Sequence, residues 1–134
     1  MDTNVLYAGL RSNRGASFEL LKLLRADKWT LLLSNTVATE YEEILLREAD
    51  ALRIGSDDIN KLLDDICALA ECCRVSNLWE PLLPDVDDEA FAQLASEAKA
   101  DFLVTYNQAD FEPIRTRVRV VTPREFLATL RAES

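Results

Sequence analysis

The stretch DFLVTYNQADF, residues 101–111, decides the fold. Its apolar run Phe102-Leu103-Val104 is short and continuous, which is typical of a strand covered on both faces. Asp110 follows in the loop that this strand would feed. Because sites in open α/β sheets lie beyond the carboxyl ends of the strands, we expect Asp110 to belong to a site.

Outward from this strand, the apolar pattern alternates between helices and short strands. Helices are predicted at Ser17 to Ala26, Ser34 to about Ala49, Gly55 to Ala70, Asp85 to Ala98 and from Thr122-Pro123-Arg124-Glu125 onward. The signals include N-cap side chains and, at the start of the last helix, a capping box with proline at the first helical position. The other strand candidates are Trp29 to Leu33 and Val118 to Val121. This alternation predicts a single α/β domain over residues 1–134, with a mostly parallel sheet and helices on both faces.

Composition sets the class of protein. The chain has 134 residues, of which 49% are hydrophobic, enough for one core. No apolar stretch reaches the roughly 18 residues of a membrane span and no basic leader precedes one, so we expect a soluble protein of the cytoplasm. Cys67, Cys72 and Cys73 fall in one predicted helical segment without a zinc pattern, and the chain has no histidine. We expect reduced, mostly buried thiols.

The net charge of −9 argues against a general nucleic-acid binder, which needs clustered Lys and Arg. It does not exclude a nuclease, because a cation held by carboxylates inverts the local charge and can hold a phosphodiester. The basic groupings are Arg11 with Arg14, and Arg115 with Arg117 and Arg119. Either grouping can equally be a solvated face.

Acidic residues recur at positions that could converge. Asp2 opens the chain in DTNVL, and the others are Glu40, the pair Asp87 and Asp88, and Asp110. Each also has an ordinary explanation, since acids cap helices, favour their first turns and cover solvated faces. As a set, they would repel one another unless a divalent cation were bound.

Several motifs resemble those of the PIN domain family, in particular its VapC-like toxins. They are DTNVL at the start, TVATEYEEIL around Glu40, PDVDDEAFAQLA around Asp87 and Asp88, VTYNQADF ending at Phe111, and TPREFL near the end. The resemblance runs from Asp2 to about Leu130. It implies a three-layer sandwich with a central, mostly parallel sheet.

Residue roles carry over from this resemblance. Catalytic and metal-binding acids would be Asp2, Glu40, Asp88 and Asp110, with Asp87 as neighbour or alternate ligand. Supporting or substrate-binding residues would be Asn4, Arg11, Arg14, Ser34, Thr105 and Asn107, with the two arginines meeting RNA phosphates.

The activity implied is hydrolysis of RNA phosphodiester bonds with Mg²⁺ or Mn²⁺, which suit a site made only of oxygen ligands. The implied partners are an RNA substrate, a small antitoxin protein and, in many relatives, a second copy in a homodimer. A catalytically inactive PIN domain that binds protein or RNA is the first alternative. A phosphoacceptor receiver domain is another, but the acidic pair comes late and no suitable Lys follows. A dinucleotide-binding module lacks its G-x-G-x-x-G motif.

The start of the chain departs from the family pattern. Relatives have several apolar residues before the first aspartate, where they form a central strand, whereas here Met1 directly precedes Asp2. We therefore expect a truncated first strand or an altered element from Val5 to Ala8. Neighbouring strands would then expose their hydrogen-bonding edges.

Overall fold

The computed structural model describes residues 1–133. Its helices are α1 (Thr3–Arg11), α2 (Ala16–Arg25), α3 (Asn35–Arg47), α4 (Ala49–Leu52), α5 (Ser56–Leu69), α6 (Val86–Glu97) and α7 (Pro123–Glu133). Its strands are β1 (Leu32–Leu33), β2 (Glu71–Cys72), β3 (Phe102–Val104) and β4 (Arg119–Val121). A 3₁₀ helix, Gln108–Ile114, connects β3 to β4. The α/β class predicted from the alternation is confirmed.

The strands pair in parallel, as predicted, but among residues 1–133 they form two separate two-stranded sheets and not the single sheet expected from the alternation. In one, β1 lies beside β2 with Leu32 opposite Glu71, and in the other β3 lies beside β4 with Leu103 opposite Val120. Each pair is joined through helical connections, as parallel pairing requires. All four strands are two or three residues long, so helices provide most of the packing surface.

Hydrogen bonds between capping side chains and the backbone confirm the predicted starts of α3, α6 and α7. The hydroxyl of Ser34 accepts the Val37 N–H at 3.2 Å and so caps α3. Asp85 accepts the Asp87 N–H at 2.9 Å at the start of α6. Before α7, Thr122 and Glu125 accept each other's backbone N–H, at 3.1 and 3.0 Å, and close the capping box.

Two local predictions are wrong. The strand predicted from Trp29 contains only its last two residues, because the Trp29 indole instead donates to the Leu20 carbonyl at 2.8 Å and packs edge-on to Phe126 at 5.4 Å. The cysteines do not share a helix and are not mostly buried: Cys67 and Cys72 are exposed and Cys73 is half-buried. Helix α5 ends at Leu69 because the chain turns extended and pairs with β1 as an edge strand.

The start of the chain forms a helix and not a strand. Residues Val5 to Ala8 belong to α1, and Val5 and Leu6 are completely buried. The Asp2 N–H donates to the Val104 carbonyl at 2.9 Å, as a residue of a strand beside β3 would. Asp2 and α1 therefore begin directly beside the carboxyl end of β3. Among residues 1–133, no helix combines the length and apolar character needed to cross a membrane.

The buried side chains fall into two clusters. The larger, around Tyr41, Ile59 and Phe91, joins α3, α5 and α6 to β1 and the 3₁₀ helix. The smaller, around Val5 and Phe126, joins α1, α2 and α7 to β3 and β4. The acids discussed below lie where elements from both clusters meet.

Candidate active site

Asp2 is the most deeply buried acid of the predicted set, with 6% of its surface exposed. It stands at the N-cap of α1, where its backbone is extended, but its side chain makes no capping bond. Its Oδ2 instead accepts the Thr105 hydroxyl at 2.8 Å. Thr105 is completely buried and follows β3 directly. This bond fixes Asp2 at the carboxyl end of β3, where Asp110 was expected to lie.

Tyr41 anchors the same end of the chain from α3. Its side chain is fully buried, and its hydroxyl donates to the Met1 carbonyl. Burial, with the nearby Asp2 charge in support, raises the pKa of the Tyr41 phenol above its ordinary range. Tyr41 therefore remains a neutral hydrogen-bond donor that holds α3, and with it Glu40, against the start of α1. The sequence motif contains this tyrosine, but sequence reasoning gave it no role.

Asp88 lies in the first turn of α6, and the pKa of its carboxyl is strongly raised. Burial of its carboxyl is the main reason that its pKa rises from 3.8 to about 6. Nearby negative charges raise the Asp88 pKa further; they belong to Asp2, Asp85, Asp110 and Asp87. Two predicted site acids thus act on Asp88 from other elements: Asp2, the N-cap of α1, and Asp110, in the 3₁₀ helix.

Glu40 joins the group from α3. Burial raises the pKa of its carboxyl, and Asp87 is the strongest of the charges that raise it further, while Arg47 opposes them. Asp2 also acts on Glu40 in the same direction. The side chains nevertheless stay apart: within residues 1–133, no three acidic or other ligand side chains form a group able to hold a metal ion.

The loop after β3 is organised around Thr105. Its hydroxyl accepts the Asn107 N–H at 3.0 Å, and the Asn107 carbonyl accepts the Asp110 N–H at 3.1 Å. This chain of bonds runs from Asp2 through Thr105 and Asn107 to Asp110. The side chains of Asn107 and Asp110 remain exposed, so they face solvent at the site.

The other predicted site residues are Asn4, Arg11, Arg14 and Ser34. Ser34 uses its hydroxyl to cap α3 and is buried. Asn4 is exposed in the first turn of α1. Arg11 and Arg14 are exposed, and the Arg11 guanidinium lies over the Tyr7 ring at 6.0 Å. The structure thus brings together the acids, Thr105 and Asn107 more directly than it does these four residues.

Glu89 is a second residue that sequence reasoning missed. Its Oε2 accepts the Trp79 indole N–H at 2.9 Å, and its Oε1 accepts the backbone N–H of Leu82 at 2.7 Å and that of Leu83. These bonds fasten the loop before α6 to the first turn that carries Asp87 and Asp88. A third consecutive acid after Asp87-Asp88 was the only signal in the sequence.

Comparison with known proteins identifies one family. The model of the PIN domain family matches residues 1–109, which include every predicted acid except Asp110. No curated protein and no solved structure matches the chain.

Proposed function

The chain belongs to the PIN domain family, and from that premise we propose that it is a divalent-metal-dependent endoribonuclease. PIN domains are generally nucleases, which supports a ribonuclease function in outline. The observation that carries the proposal is the convergence of acids from separate elements. Hydrogen bonds through Thr105 and Asn107 link Asp2, the N-cap of α1, to Asp110 in the 3₁₀ helix. Both acids also raise the pKa of Asp88 on α6, as does its neighbour Asp87.

The donor atoms suit a hard cation. The set contains only carboxylate oxygens, which Mg²⁺ and Mn²⁺ prefer. The Thr3 hydroxyl, next to Asp2, is buried without a hydrogen-bond partner among the described residues, so a water at this position would satisfy it. Like charges gathered in a partly buried region are destabilising, and a cation relieves that repulsion. Because no three of these side chains form a metal-holding group within residues 1–133, we propose that binding of the cation draws Asp2, Asp88 and Asp110 together as principal ligands, with Glu40 and Asp87 as further ligands.

A metal bound there would supply Lewis acidity toward the scissile phosphate and would lower the pKa of a bound water. The protein's own residues hold the carboxylates in place and give the site its negative charge. Thr105 holds one oxygen of Asp2 and leaves the other carboxylate oxygen for a ligand. Burial and neighbouring acids raise the pKa of the Asp88 carboxyl to about 6, and a bound cation would favour its charged form. We propose that Asn107, which is exposed and whose carbonyl accepts the Asp110 N–H, contacts the substrate.

The finer biological role is part of the same proposal. We propose that the protein is a VapC-like toxin of the cytoplasm, held by a small antitoxin protein. The proposed fold is the three-layer sandwich of the family, and a homodimer is the proposed assembly. Arg11, the last residue of α1, and Arg14, in the loop after it, support RNA binding because both are exposed.

The direct test is cleavage of a panel of single-stranded RNAs by the purified protein with Mn²⁺ or Mg²⁺. We compare wild type with Asp88→Asn and Asp110→Asn, which keep side-chain shape and remove charge. Asp50→Asn, an exposed acid on α4, is the matched control. We expect cleavage that EDTA abolishes, that both site variants lose by about 100-fold or more, and that the control retains.

Two results would oppose the proposal. Cleavage that persists in EDTA would remove the metal from the function. A folded wild-type protein that cuts no RNA under any metal condition would leave the catalytically inactive, partner-binding PIN domain in its place. Circular dichroism of every variant separates loss of the site from loss of the fold.

A further inference from the structure

Tyr106 is the only exposed aromatic side chain among residues 1–133, with 49% of its surface accessible. No other aromatic ring in this part of the chain packs against it. The other exposed large apolar side chains are aliphatic and belong to Leu46, Leu69, Leu78, Leu82 and Val86. A single exposed ring is ordinary for a protein surface. Two features distinguish this one, namely how it is held and where it lies.

The ring is held in place through its hydroxyl. The hydroxyls of Tyr106 and Ser17 form a hydrogen bond. Ser17 lies in the first turn of α2 and is buried, with only 3% of its surface exposed. The ring therefore spans from the loop after β3 to the start of α2. Because it is already ordered, the ring loses little conformational freedom when a ligand binds.

Tyr106 lies within the hydrogen-bonded loop that links the acids of the candidate site. The residue before it, Thr105, donates its hydroxyl to Asp2 at 2.8 Å. The carbonyl of the residue after it, Asn107, accepts the Asp110 N–H at 3.1 Å. Consecutive Cα atoms are about 3.8 Å apart, so the ring is attached next to both residues. A phosphodiester bound at the acids thus has a flanking nucleotide within reach of the ring.

On its other side, the ring leads toward the basic segment between α1 and α2. Ser17, which holds the Tyr106 hydroxyl, follows the exposed Arg14 by three residues. An RNA strand that runs from the acids past Tyr106 therefore approaches a cation that can bind its next phosphates. The acids, the ring and Arg14 follow one another in an order that suits one extended strand.

The charge of the protein favours a contact of this kind. A net charge of −9 leaves few cations to neutralise phosphates, which are the usual source of affinity for nucleic acids. A base that stacks on an aromatic side chain adds affinity without any charge. Bases in a duplex already stack on their neighbours, so an unpaired nucleotide is the one that can stack on a side chain.

We propose that Tyr106 stacks on the base of an unpaired nucleotide next to the scissile phosphate, so that the protein recognises a base as well as the phosphate. Ser17 is a positioning residue, which holds the ring through its hydroxyl. This inference rests on the proposed ribonuclease function and deepens it, because it assigns a residue that selects the substrate.

The test measures RNA binding in Mg²⁺ by fluorescence anisotropy, in an Asp88→Asn parent protein that does not cleave. The probe is the labelled single-stranded RNA of the panel that this parent binds most tightly. Tyr106→Leu removes the ring and should weaken binding by about tenfold, whereas Tyr106→Phe keeps the ring and should bind within about threefold of the parent. The matched control is Leu69→Ala, a side chain 43% exposed at the end of α5, and it should bind as the parent does.

A scan of the RNA shows whether the ring meets a base. Replacing one nucleotide at a time by an abasic one should weaken binding by about tenfold at one position. In Tyr106→Leu, the same replacement should have little further effect, because the ring and the base are partners in one contact. A purely structural role of Tyr106 does not produce this coupling. If Tyr106→Leu fails to fold, upfield NMR shifts of the Tyr106 ring protons on adding RNA report the stack in the parent.

Several results would overturn the inference. Equal RNA binding by Tyr106→Leu and the parent would leave the ring to another ligand, such as a protein partner. Equal losses in the leucine and phenylalanine variants would assign the effect to the Ser17 bond. Absence of coupling at every abasic position, equal binding of the matching duplex, or a parent and wild type that bind no RNA would each remove the stack.

Failure of this inference is distinguishable from failure of the proposed function. RNA binding that depends on the Tyr106 ring, in a wild-type protein that cuts no RNA, would refute the nuclease and support the stack. RNA cleavage by wild type with a kcat/KM that Tyr106→Leu leaves unchanged would support the nuclease and refute the stack. Where both hold, Tyr106→Leu should raise KM by about tenfold with little change in kcat, since stacking binds substrate and transition state alike.

Discussion

At the scale of single residues, the Asp88 carboxyl gives stability a dependence on pH. Its pKa in the folded protein, about 6, lies above its ordinary value of 3.8 because the carboxyl is partly buried among other acids. The folded state therefore binds the proton more tightly than the unfolded state does. The stabilising contribution is complete below pH 3.8 and is lost as the pH rises through about 6.

Asp88→Asn should remove this dependence. In EDTA at pH 7, we expect the variant to be more stable than wild type by about 1 kcal/mol, a value reduced for solvent screening of a half-exposed group. Thermal unfolding between about pH 4 and pH 7 measures the difference. Wild type and variant should converge at the acid end. A variant that is less stable than wild type at pH 7 would contradict the assigned cause.

The Thr105 hydroxyl should matter for activity and stability together. Thr105→Val removes the bond to Asp2 Oδ2 and leaves that buried oxygen without its donor. We expect a loss of stability of about 1–3 kcal/mol and a fall in RNA cleavage of about tenfold or more. Thr105→Ser, which keeps the hydroxyl, is the control for the lost bond. Equal behaviour of the valine and serine variants would show that packing, and not the bond, supports Asp2.

At the scale of secondary-structure elements, Ser34 could act as a helix cap or as part of the catalytic site, and its variants distinguish these two roles. Its hydroxyl accepts the Val37 N–H at the start of α3, the helix that carries Glu40 and Tyr41. Ser34→Ala should cost about 1 kcal/mol of stability, and Ser34→Gly only a few tenths, because glycine is tolerated at N-caps. Urea unfolding measures both. Unchanged stability with lost cleavage would instead place Ser34 in the chemistry.

At the scale of the whole molecule, metal binding should couple to folding. Because the acids at the start of α1 and on α3, α6 and the 3₁₀ helix influence one another only in the folded chain, Mn²⁺ should bind the native state and raise its melting temperature. At about 100 times the dissociation constant the gain is about 2.7 kcal/mol. Differential scanning calorimetry with and without Mn²⁺ checks this. Asp110→Asn should lose most of the gain, and Asp50→Asn should keep it.

The sequence by itself determined the local elements and the identity of the acids. Cap residues such as Ser34 and Asp85, and the apolar run at Phe102, act through nearby backbone, so their consequences can be read from neighbouring positions. The family motifs indicated which carboxylates belong together. The extent of β1 and the exposure of Cys67 and Cys72 could not be read in this way, because both depend on which element packs alongside.

Only the tertiary structure decided the contacts between residues far apart in the chain. The bond from Thr105 to Asp2 joins positions 103 residues apart, and the bond from Tyr41 to the Met1 carbonyl joins α3 to the start of the chain. The division of the four strands into two separate sheets is likewise a property of the packed molecule. Local propensity acts over a few residues, whereas burial and charge coupling arise only when distant segments exclude water together.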